Sequence, residues 1–192
     1  MRQTVRIILT MSLLTLLASC QSSHPPITTA PSVELPRFMG DWYVIANIPT
    51  SIERGAHNAV ESYRQDSDGS IATTFTFREG GFEGKVKRYC PRGFVRDTRS
   101  NAIWGMQFIW PIKADYRIVY VSPDYQRTII GREKRDNVWI MARTPQIPTA
   151  DFQELRDRVA REGYDMTKLA TVPQEWPERA NAPPRSAEEE CS

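Results

Sequence analysis

The sequence predicts an all-β fold, an eight-stranded antiparallel up-and-down β-barrel with one C-terminal helix packed outside, and three observations predict it. Short stretches rich in β-branched and aromatic residues recur through the middle of the chain between turn signals. The connections are short, as in Asp66-Ser67-Asp68-Gly69-Ser70, Glu79-Gly80-Gly81, Ser122-Pro123-Asp124 and Lys134-Arg135-Asp136-Asn137, which implies hairpins and antiparallel neighbours. One helical period follows the last stretch, and a sheet closed on itself loses its exposed edges while keeping an outer face for that helix.

Strands are expected near 42–48, 59–65, 71–77, 84–89, 94–97, 102–108, 116–121, 128–132 and 138–143. The stretch 84–97 reads as one bent strand, which gives eight. The helix is expected over 150–162, with Thr149 as N-cap and Gly163 ending it. Phe152, Leu155 and Val159 form its apolar stripe, and Glu154 with Arg158 and Asp157 with Arg161 are i,i+4 pairs on its wet side. A barrel of eight strands has room inside for packed side chains or for one small ligand.

The ends of the chain read differently. Residues 1–19 have a basic start with Arg2 and Arg6, an apolar segment over 7–17 too short to span a bilayer, and small residues before Cys20, the pattern of a secretory signal. Leu17-Ala18-Ser19-Cys20 resembles the lipobox of bacterial lipoproteins, which implies cleavage before Cys20 and lipidation of its sulfur. Gln21 in place of aspartate implies, by the same resemblance, sorting to the outer membrane; the periplasmic face is expected over the outer one, though the sequence itself does not decide the face. Residues 20–36, rich in Pro, Ser and Thr, read as a lipidated N-terminus and flexible tether, 37–178 as the barrel with its helix, and 179–192 as a solvated tail.

Without residues 1–19, 23 basic residues face 23 acidic ones, two fewer basic than in the whole chain. A near-neutral protein gives no electrostatic reason to expect nucleic acid. In an oxidising compartment Cys90 and Cys191 either form a disulfide or remain two free thiols, since spacing alone does not place their Cβ atoms. His24 and His57 are the only histidines, and no clustered ligand spacing suggests a metal. The sequence lacks the G-x-S-x-G, phosphate-loop and Cys-x-x-Cys signatures of hydrolases, nucleotide enzymes and thiol oxidoreductases, and none of its motifs calls for a cofactor.

Gly40-Asp41-Trp42-Tyr43 resembles the G-x-W-Y signature that opens lipocalins. Asp124-Tyr125 sits where that family has its second signature turn, with Ser122 and Pro123 before it in place of a threonine, and Val138 to Pro145 resembles the third patch, which carries Arg143. The order and spacing are similar to the bacterial, apolipoprotein D-like branch of the family. The resemblance implies that Trp42 packs against the Arg143 guanidinium at the narrow end of the barrel, so these are fold residues.

Ligand contacts must come from inward-facing positions. The faces bearing aromatic residues are assigned inward, giving Phe108, Tyr116, Ile118, Tyr120, Trp139 and Met141 as the ligand-binding set, a lining suited to an acyl chain. The apolar run Phe108-Ile109-Trp110-Pro111-Ile112 reads as a surface for a membrane, a second copy of the chain or the ligand, or as an ordinary strand end. The function expected is that of a membrane-anchored, non-enzymatic lipid-binding protein taking a fatty acid, lysophospholipid or similar amphiphile, for envelope lipid storage, transport or maintenance. A cavity enzyme acting on a lipophilic substrate and a structural envelope lipoprotein with a filled barrel are the alternatives.

Overall fold

The computed structural model describes residues 24–176. The signal segment, Cys20 and the whole of the tail with Cys191 lie outside the described residues. A helical turn, α1 (Leu35–Phe38), leads into β1 (Gly40–Ile48), β2 (Ala56–Gln65), β3 (Ile71–Glu79), β4 (Val86–Tyr89), β5 (Arg92–Val95), β6 (Ile103–Ile109), β7 (Ile112–Val121), β8 (Arg127–Gly131) and β9 (Val138–Ala142). The helix α2 (Thr149–Arg161), a 3-10 turn at Met166–Lys168 and the two-residue β10 (Ala170–Thr171) follow. Every pairing is antiparallel, and β9 pairs back onto β1, so the sheet closes.

The expected bent strand is β4 and β5 together, both paired with β3, one against Phe75 to Arg78 and the other against Ile71 and Ala72. Pro91, which has no amide hydrogen to donate, lies in the break, and its carbonyl accepts from Thr73 N at 3.1 Å. The barrel therefore has eight strand positions, as the hairpin pattern predicts. Its seam is irregular. β1 pairs with β2 only from Gly40 to Tyr43, and its second half instead pairs with β10. Where β1 and β2 part, the Gln174 side-chain amide donates to Val44 O and Ala59 O, and Asn58 is bonded to Pro173 and Glu175.

One apolar core lies inside the barrel and includes Phe38, Trp42, Tyr63, Trp104, Tyr116 and Met141. A second lies outside it, where Leu155 and Val159 of α2 meet Ala46, Ile48, Ile129 and Ile140. Helix α2 differs from expectation in its first turn: Thr149 is helical, Pro148 holds the N-cap position, and its ring offers no side-chain acceptor. Gly163 ends the helix with φ +85°, a conformation glycine adopts without a Cβ clash. Arg158 pairs with Glu154 at 2.9 Å, while Asp157 accepts from Gln153.

The flexible tether assigned to 20–36 needs correction from His24 onward. Ile27, Ala30 and Val33 are buried against the barrel. Arg135 Nη2 donates to Pro25 O at 2.6 Å, Ala30 N to Ile118 O at 2.9 Å, Val33 N to Ser100 O at 2.7 Å and Glu34 N to Tyr125 Oη at 2.8 Å. This segment is a strap along the outside of the barrel. Its three apolar residues recur every third position, the repeat of an extended polyproline II chain, and that period belongs to neither a helix nor a strand.

Candidate functional site

The barrel has two unlike ends. At one end α1 and the turn after β7 close it. The Arg143 guanidinium carbon lies 3.7 Å from the Trp42 ring centroid, a cation–π contact. Arg143 also donates from Nη1 to Asp41 O at 2.7 Å and from Nη2 to Arg37 O and Met39 O at 2.8 Å. Trp42 Nε1 donates to Phe38 O at 2.9 Å. Gly40, at φ +90°, would place a Cβ 3.4 Å from the same guanidinium. Tyr43, which follows Trp42 in the chain, points outward and meets Trp176 edge to face at 5.4 Å. In the turn before β8, the hydroxyl of Ser122 accepts from Gln126 N and Arg127 N and donates to Asp124, so serine performs the bonding of the missing threonine. Tyr125, at φ +58°, stacks under Arg37.

The other end holds a cavity of about 260 Å³. Thr50, Ser51, Ile52 and Glu53 of the β1–β2 loop, Phe108, Asp115 and Arg132 line it together with Glu61, Phe75, Met106, Ala114, Tyr116 and Trp139. Tyr116, Trp139 and Phe108 of the expected ligand set are therefore at the cavity, Phe108 half exposed beside it. Ile118 and Met141 are fully buried in the barrel core and do not line it.

Tyr120 is misassigned by strict alternation. The register of β7 against β8 shifts between Ile118 and Tyr120, a bulge that turns Tyr120 out of the barrel. There it packs in the outer core, with the Arg158 guanidinium 4.1 Å from its ring.

The expected ligand set leaves out the acidic groups of the cavity. Glu61 lies on β2 between Ala59 and Tyr63, two buried residues of the same face, and that i,i+2 pattern is the signal that points it inward. Burial pushes its carboxyl up to about 8, with Glu53 adding to the rise and the Tyr63 hydroxyl opposing it. Glu53 is also raised by burial, against hydrogen bonds from Trp139 Nε1 at 3.0 Å and Asn47 Nδ2 at 3.2 Å. Tyr63 and Tyr116 share a hydroxyl–hydroxyl bond, and burial raises both phenols well above their ordinary value. The interior is thus apolar with proton-holding groups at mid-depth. Arg132, which pairs with Asp136 and Asn137, is the cation of the lining.

Cys90 is exposed and disulfide-bonded, and its partner lies outside the described residues. Among the described residues no group of three or more His, Cys, Asp or Glu could hold a metal, and no helix is long and apolar enough to cross a membrane.

Comparison with known proteins agrees with this geometry. The model of the lipocalin-like domain family matches residues 33–174. The chain is 30% identical to temperature-induced lipocalin-1 of Arabidopsis thaliana, over 79% of this chain and 85% of that protein. It is 26% identical to outer membrane lipoprotein Blc of Escherichia coli K12, over 83% of this chain and 90% of that one. Among solved structures, insecticyanin from the tobacco hornworm Manduca sexta superposes with TM-score 0.61 at 14% identity, covering 82% of this chain and 88% of that one, which shows a shared fold.

Proposed function

The chain belongs to the lipocalin-like family, a family of binding proteins rather than enzymes, and from that premise we propose that it holds one single-chain amphiphile in its barrel while anchored to a bacterial outer membrane through a lipid on Cys20. The cavity carries this reading. At about 260 Å³ it lies just below the roughly 300–1,000 Å³ common for ligand pockets, which suits one acyl chain better than two.

The polarity of the cavity supports an orientation. Phe75, Met106 and Trp139 offer apolar surface to a chain, whereas a carboxylate placed beside Glu61 would push against the ionised form of that side chain. The acyl chain therefore enters first, and an anionic head, the carboxylate of a fatty acid or the phosphate of a lysophospholipid, stays near Arg132. An open cavity counts against the filled-barrel alternative. Relatives named as outer membrane lipoproteins support the proposed location, as does the lipobox-like Leu17-Ala18-Ser19-Cys20. With the Cys20 sulfur lipidated, Cys191 is the cysteine left to pair with Cys90.

The test is a titration with a lysophosphatidylethanolamine below its micelle-forming concentration, following tryptophan emission. A saturable, one-to-one change that shrinks in Trp139→Phe is expected. No saturable change, together with no lipid in an organic extract of the purified protein, would sink the reading.

A further inference from the structure

The described chain begins at the same end of the molecule as the cavity mouth. The strap starts beside the β8–β9 loop, where Pro25 O accepts from Arg135 and Ile27 N donates to the Glu133 carboxylate, and it then runs toward the closed end. Three residues separate Cys20 from His24, so the two Cα atoms lie at most about 14 Å apart. The β6–β7 hairpin stands out from this same rim. The β8–β9 loop touches β7 at Asp115, through Glu133 N at 2.7 Å, and β7 continues three residues beyond that point to Ile112. Three strand residues project about 10 Å.

The tip of that hairpin is apolar. Ile109, Trp110 and Ile112 are 73, 82 and 69% exposed. The other open-end connections each carry an exposed cation, Arg54, Lys85 and Lys134, and Lys113 at the start of β7 lies over the Phe94 ring. Exposed acids at this end include Glu79, which is paired with Lys87, Asp136, which is paired with Arg132, and Glu83.

We propose that the β6–β7 hairpin inserts its tip, Ile109, Trp110 and Ile112, into the bilayer that holds Cys20, so that the cavity mouth faces the lipid surface. The inference rests on the anchoring reading above. A link no longer than the hairpin's projection by more than a few ångströms keeps the rim beside the membrane, and the flanking cations suit anionic headgroups. An amphiphile then passes from leaflet to cavity without crossing open water.

Vesicles of phosphatidylethanolamine and phosphatidylglycerol brominated on their acyl chains test this, because bromine quenches only a tryptophan that reaches the hydrocarbon. With lipidated protein, quenching is expected, and Trp110→Phe should remove most of it. In the unlipidated Cys20→Ala protein, Trp110→Ser with Ile112→Ser should weaken vesicle binding at least about tenfold, with the melting temperature unchanged because both side chains are exposed. Equal quenching in wild type and Trp110→Phe would overturn the proposal. So would hairpin substitutions that convert a dimer to a monomer and leave quenching unaltered, or a purified protein whose Cys20 carries no lipid. Persistent Trp110 quenching without lysophospholipid binding would sustain the membrane contact and sink only the cavity reading.

Discussion

Glu61 is a carboxylic acid whose environment departs far from that of a surface side chain. An unfolded chain releases this proton near pH 4.5, whereas the folded chain holds it to about pH 8. Between those values the folded state binds more protons, so stability falls as pH rises across that window and levels off above it. Glu53 acts in the same direction. The variant Glu61→Gln keeps the shape and loses the charge, and its melting temperature between pH 5 and 9 should be flatter than that of the wild type. At pH 9 it should be more stable by about 2–4 kcal/mol; parallel curves for the two proteins would remove Glu61 from the explanation. Arg143 makes a useful contrast. It is legible in the sequence because its role is tied to a local signature and to Trp42 across the seam, whereas Glu61 carries no motif and declares itself only once β2 is known to face the cavity.

The strap changes what the N-terminal segment does for the fold. Its backbone donors are satisfied by Ile118, Ser100 and Tyr125, and its apolar side chains cover barrel surface that would otherwise face water. Replacing Ile27 and Val33 together by alanine should cost about 3–6 kcal/mol, which for a domain of this size lowers the melting temperature by roughly 10 °C or more. A tether would show no change in the same experiment. Composition misleads here because Pro, Ser and Thr describe a solvated linker and a packed extended chain equally well. Bulges mislead in the same local way: the pattern of β7 is legible as far as Ile118, and the extra residue that turns Tyr120 outward leaves no mark in the alternation. Hairpin connections, the eight strand positions and the site of α2 follow from turn chemistry and period, and these were legible.

Across the whole molecule, the closed end and the open end divide two tasks. The closed end concentrates aromatic rings, with Phe38 against Trp42 at 5.1 Å and edge to face with Trp104 at 5.7 Å. The open end leaves space, polar loops and an apolar hairpin. Its cavity depends on where several strands sit relative to each other, which no single stretch of sequence encodes. A covalent link from Cys90, on the far side of the barrel from the seam, to the C-terminal tail would hold that tail across the sheet. A peptide map without reductant should join the Cys90 peptide to the one containing Cys191, and finding Cys90 joined to Cys20 would contradict both that pairing and the lipid anchor.

The seam has a kinetic meaning as well. The first strand finds its closing partners almost a hundred residues later in β9, and its remaining edge is covered only by Ala170 and Thr171, with Gln174 bridging the gap to β2. Pairings so distant along the chain form slowly. Until they form, β1 offers an unpaired edge to any other chain. Synthesis alone cannot protect that edge, because the residues that cover it are made more than a hundred residues after it.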